Sequence, residues 1–104
     1  MSDLTKKKRA RAAQRANATK TIDKVLESLE NYDGANENMR NGLKVKKRTL
    51  GDKLAILEKL DNEILDMLCG DEKLHDSEIE NEVDDSSSHR ERILESIAII
   101  DLAN

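Results

Sequence analysis

Aliphatic residues along this chain recur at the spacing of a helix face, in three tracts parted by two turn signals. In the first tract Ile22, Val25, Leu29 and Tyr32 lie three and four residues apart, with Leu26 beside them. They follow Ala10, Ala12, Ala13, Ala16 and Ala18, which favour a helix but bring little volume. Asp33-Gly34 then marks a turn and a helix C-cap, so a helix is predicted over residues 3–32. In the second tract Leu43, Leu50, Leu57 and Ile64 recur every seven residues. Leu54 and Leu68 occupy intermediate positions, Lys47 and Asp61 interrupt the others, and Leu60, Leu65 and Met67 widen the stripe. This heptad seam predicts a helix over 36–69. Gly42 and Gly51 each weaken it by about 1 kcal/mol relative to Ala, so Asp52–Leu68 is its firmer part. Gly70-Asp71 is the second turn signal, with Asp71 able to cap the next helix.

The third tract, 72–102, begins weakly with Ile79 and Val83 and continues with Ile93, Ile97 and Ile100, Leu94 alongside. Asp84-Asp85-Ser86-Ser87-Ser88 lies between, and Ser88 with Glu91 fits a capping box that would admit two helices meeting near Ser87. The heptad phase Ile79, Ser86, Ile93, Ile100 runs through this waist and favours one helix. The expected fold is all-α: a single module, 1–104, of three long helices in an antiparallel, coiled-coil-like arrangement, because short connections favour antiparallel neighbours. Leu50, Leu54, Leu57, Ile64 and Leu68 should face Ile22, Val25, Leu29, Ile93, Ile97 and Ile100.

Composition supports a thin aliphatic seam. Tyr32 is the one aromatic, proline is absent and charged residues make up 38% of the chain. High charge with few aromatics also marks disordered chains, and here regular aliphatic spacing decides for helices. A single cysteine, Cys69, excludes an intrachain disulfide and suits a reducing compartment. The start, MSDLTKKKR, has no apolar signal-peptide core, and no run is long enough to span a membrane. The expectation is an intracellular protein, cytoplasmic or nuclear, with no membrane partner.

Charge divides along the chain. Residues 1–20 hold seven basic side chains against Asp3, and 71–95 hold ten acidic against Lys73, Arg90 and Arg92. Lys6, Lys7, Lys8, Arg9 and Arg11 form a cluster suited to phosphate contact or nuclear import. No aromatic among them can stack a base, which argues against sequence-specific single-strand recognition. Lys44, Lys46, Lys47, Arg48 and Lys53 form a second patch, expected to pair with the acidic third helix. The carboxylates of 78–85 lack the glycine and spacing of a calcium loop. Cys69, His75, Asp76 and His89 lack zinc-ligand spacing, so no metal and no cofactor is expected. No nucleophile–base arrangement or phosphate-cradling glycine loop is present, and a thin seam offers no small-molecule pocket, so no enzymatic activity is expected.

Three stretches together, LTKKKRARAAQRANATKTIDKVLESLE, KLAILEKLDNEILDML and EIENEVDDSSSHRERILESIAIIDLAN, resemble the N-terminal helical region of BEL/Pao-type retrotransposon gag polyproteins. The resemblance implies a helical region preceding a capsid-like part and acting in self-association or assembly. The chain departs from that pattern at Ser86-Ser87-Ser88, where a bulkier residue such as Tyr is expected, and it has no zinc knuckle, protease or polymerase region. The functional expectation is a helical interaction module whose partner is itself or another helical protein. The alternative is a nucleic-acid-binding or nuclear-targeted adaptor that contacts RNA or DNA through its basic N-terminal helix.

Overall fold

The computed structural model describes residues 2–104, which form three α-helices: α1 (Asp3–Glu30), α2 (Glu37–Cys69) and α3 (Asp76–Ala103). Ser2 starts α1 by accepting the Thr5 N–H on its hydroxyl at 3.1 Å, and Asn36 starts α2 by accepting the Met39 N–H at 3.2 Å. These bonds satisfy amides that have no partner inside the first turn. The helix α1 stops two residues before the expected end. Asn31 is its C-cap, and Gly34, expected to take that part, sits in the connection with no positive φ. There Asp33 accepts the Ala35 N–H at 2.9 Å, and Arg40 reaches back to the Gly34 carbonyl at 2.6 Å.

The third helix begins at Asp76 rather than near residue 72. Asp71 does not cap it: its carboxylate accepts the Lys73 N–H at 2.9 Å, and the Leu74 N–H closes a turn on its carbonyl. His75 becomes the N-cap, with Glu78 accepting its backbone N–H at 3.3 Å. From there α3 is unbroken through Ser86–Ser88, so the Ser88–Glu91 box is not used. Glycines at 42 and 51 do not interrupt α2.

Side-chain pairs fix the register. Arg11–Glu82, Arg15–Asp85 and Tyr32–Asn104 span 71, 70 and 72 residues, a near-constant offset, so α1 and α3 run parallel. Between α1 and α2 the pairs Lys7–Glu63, Arg11–Asp61 and Gln14–Lys53 advance in opposite directions, so these helices are antiparallel. The result is an up-down-up rod of 57 × 25 × 17 Å.

The aliphatic seam faces the interior of this rod. Leu50, Leu57, Ile64, Ile93 and Ile100 are each at most 2% exposed, Ile22 and Val25 are buried, and Leu29, Leu54, Leu68 and Ile97 are half-buried. Leu43 and Ala18 join Ile22, Val25, Leu50, Leu57, Ile93 and Ile100 in the main cluster, and Ile64 is buried outside it. Both polar interruptions of the α2 heptad are paired across the bundle. Lys47 meets Asp101 of α3 at 2.5 Å near the surface, whereas Asp61 is buried at 5% exposure.

Candidate functional site

Asp61 is the centre of an ionic layer across the rod, one turn beyond Leu57 on the α2 seam. The layer draws on all three helices. From α1, Arg11 places Nη1 at 3.3 Å from Asp61 Oδ1 and 2.9 Å from Glu82 Oε2, while its Nη2 donates to Glu82 Oε1 at 2.8 Å. Planar guanidinium and planar carboxylate thus meet along two parallel bonds, the strongest geometry available to such a pair. Ser86 donates to the same Glu82 Oε2 at 2.8 Å. Arg15 binds Asp85 Oδ2 at 2.8 Å, and its Nη2 stands 3.7 Å from Asp61 Oδ1. Arg90 of α3 brings Nε to 3.8 Å from Asp61 Oδ2. Three guanidiniums face three carboxylates, so burial leaves no net charge in the layer.

The local electrostatics follow from these partners. Burial by itself would lower the Arg11 pKa, but Glu82 and Asp61 outweigh it and raise the pKa above the ordinary value. Burial would raise Glu82, yet hydrogen bonds from Arg11 and Ser86 and the nearby Arg15 charge hold it below the usual glutamate value. Asp85 is likewise lowered against its desolvation by Arg15. His89 is lowered, first by burial and then by Arg15, so its approach to Asp85 at 3.6 Å is a neutral contact at neutral pH.

These directions give the fold a defined response to acid. The carboxyls of Glu82 and Asp85 titrate lower in the folded chain than in the unfolded one, so their contribution is complete above the ordinary carboxylate range and lost as pH falls through the folded values. His89 acts with the same sign, because the unfolded chain accepts its proton first. The urea midpoint should therefore dip slightly below pH 6.5, the ordinary histidine value, and fall steeply below 4.5, that of glutamate. A midpoint that is flat or rises into acid would contradict the layer.

The layer corrects the reading of the basic N-terminal cluster. Arg11, expected among exposed phosphate-binding side chains, is 7% exposed and fully engaged. Lys7 is half-buried and paired with Glu63, and this pairing holds Glu63 below its ordinary pKa. Lys6, Lys8 and Arg9 remain exposed. Among the described residues, the second patch pairs with the acidic helix through Lys47 alone, and Lys53 turns to Gln14 of α1 at 2.7 Å. The sequence did carry a signal for Arg11, since Leu4, Arg11, Ala18, Val25 and Tyr32 share one seven-residue phase. Ser86 also fits this logic. A small hydroxyl at a seam position leaves room for the Arg11–Glu82 pair where a bulky side chain would displace it.

Among the described residues, no cluster of three His, Cys, Asp or Glu side chains is placed to hold a metal ion, and no helix is long and apolar enough to cross a membrane. No family model, curated protein or solved structure matches the chain.

Proposed function

We propose that this chain is a non-enzymatic helical interaction module that works by self-association. The observation supporting this reading is what the bundle leaves outside. The heptad seam is buried within one copy, yet Val83, Leu94 and Leu102 on α3 stay 41%, 50% and 88% exposed. Association would therefore use outer faces rather than the α2 seam. The resemblance to the N-terminal region of BEL/Pao-type gag polyproteins points the same way, toward assembly. The reading in which the basic helix contacts RNA or DNA is weakened by the engagement of Arg11 and Lys7 inside the rod.

Light scattering across a concentration series tests the proposal. It should report a mass above the 11.7 kDa of one chain, declining on dilution. A single-chain mass throughout would overturn it, and low-salt binding of a single-stranded RNA by such a monomer would move the assignment to the nucleic-acid reading.

A further inference from the structure

On the α2 flank of the rod, charge is divided between the two ends. Helical spacing places Lys44, Arg48, Glu58, Asn62 and Leu65 along one stripe of α2. Asn62 and Leu65 line a shallow depression with Val83 of α3, and Glu58 lines the next with Ser87 and Leu94. That stripe therefore shares a face with Glu80, Val83, Asp84, Ser87 and Leu94 of α3. Its α2 end is basic and its α3 end acidic. Among the described residues, Lys44, Arg48, Glu80 and Asp84 form no ion pair within the chain, so their charges are available to a partner.

The spacing of these patches is self-complementary. Arg48 lies ten residues before Glu58 on α2, and Asp84 lies ten residues before Leu94 on α3. At 1.5 Å per residue each patch stands about 15 Å from the Glu58–Leu94 depression, in opposite directions because the helices are antiparallel. A two-fold axis through Leu94 would lay the basic end of one copy on the acidic end of the other, twice over. Such an axis also sets the half-exposed Leu94 of each copy against its equivalent. Glu58 and Glu91 line the same depression as Arg90, near the axis. The rod measures 57 × 25 Å on its broad side, ample for the ~800 Å² per partner of a standard interface.

We infer that the α2–α3 face is a homodimer interface in which Lys44 and Arg48 of one copy meet Glu80 and Asp84 of a second copy, antiparallel about Leu94. The inference rests on the self-association reading and adds the surface and the symmetry. An isologous contact of this kind closes at two copies, and its charge pairing sets direction and salt dependence.

Charge reversal tests it. Lys44→Glu/Arg48→Glu should be monomeric, since both contacts become acid against acid, and Glu80→Lys/Asp84→Lys should be monomeric for the converse reason. An equimolar mixture of the two should recover the dimer mass, because both contacts are then complementary, and the chain carrying all four reversals should dimerise with itself. Circular dichroism should show parental helicity in each, as all four side chains are exposed. A parent that is monomeric at every concentration overturns self-association itself. Reversed variants that remain oligomeric leave self-association standing and reject this face. Monomeric variants that fail to recombine, with helicity intact, reject the reciprocal pairing.

Discussion

Leu57→Asp should leave the chain without a cooperative fold at 25 °C. Leu57 is 1% exposed at the middle of the longest helix and belongs to the main aliphatic cluster. Truncating a buried leucine costs about 2–5 kcal/mol through lost transfer and the cavity left behind. A carboxylate there adds the cost of an unpaired buried charge, several kcal/mol more. The sum is comparable to the whole stability of a domain this size, roughly 5–15 kcal/mol. The new acid would also stand one helical turn from Asp61, in a layer whose charges already balance. Far-UV circular dichroism should show the helical signal lost, whereas Leu94→Asp, at a position 50% exposed, should keep it. Native helicity and an unchanged thermal transition in Leu57→Asp would show that the seam is not where the rod is held together.

The second large effect is expected at Arg11. Arg11→Met removes both hydrogen bonds to Glu82 and the closest guanidinium to Asp61, while the methionine stem keeps most of the packing. Breaking a buried pair from one side costs about 3–5 kcal/mol, because the remaining carboxylates lose their compensation where water reaches them poorly. Asp61 keeps Arg15 and Arg90 at 3.7 and 3.8 Å, so Glu82 bears most of the loss. Urea unfolding should show this drop, and Arg11→Met/Glu82→Gln should recover part of it, since a neutral amide costs less to bury than a lone charge. Lys6→Met, a few residues away on the exposed side, should change stability by less than about 0.5 kcal/mol. Equal effects at Lys6 and Arg11 would mean that Arg11 is not embedded in the layer.

The contrast between these two sites explains what could be read from the chain. Leu50, Leu57, Ile64, Ile93 and Ile100 were legible because each is apolar and each repeats the phase of the last. Burial follows from the identity of the residue, and the three helices follow from the phase. Arg11 and Asp61 keep the phase of the seam, but their identity argues against burial. Charged residues are almost never fully buried, so an arginine inside a basic run reads as exposed and an aspartate in a leucine seam reads as a defect. Arg11 is made tolerable by Asp61 and by Glu82, a partner 71 residues away, and Asp61 by Arg11, Arg15 and Arg90. No local pattern announces such a pair. The α3 start differs from the expected one for a smaller reason: Asp71 can cap a helix or fold onto its own turn, and the choice depends on His75 and Glu78 downstream.

The ionic layer also changes the meaning of the charge division along the chain. Much of it is consumed inside one copy, where it sets the register of three helices that aliphatic packing alone would let slide by a heptad. This use of a buried polar group, which favours one register at some cost in stability, parallels polar residues at coiled-coil seam positions. The outer charge of Lys44, Arg48, Glu80 and Asp84, together with Lys6 and Lys8, stays exposed to partners.

Amide hydrogen exchange across residues 11–18 reads directly whether Arg11 holds α1 in the rod. If Arg11 locks α1 onto Asp61 and Glu82, these amides open only with the bundle, and their protection should approach that of Leu50–Ile64 in α2. Exchange of 11–18 as fast as a frayed terminus, while α2 stays protected, would contradict that claim: the basic segment would then be a loose arm, and the ionic layer would not hold the fold.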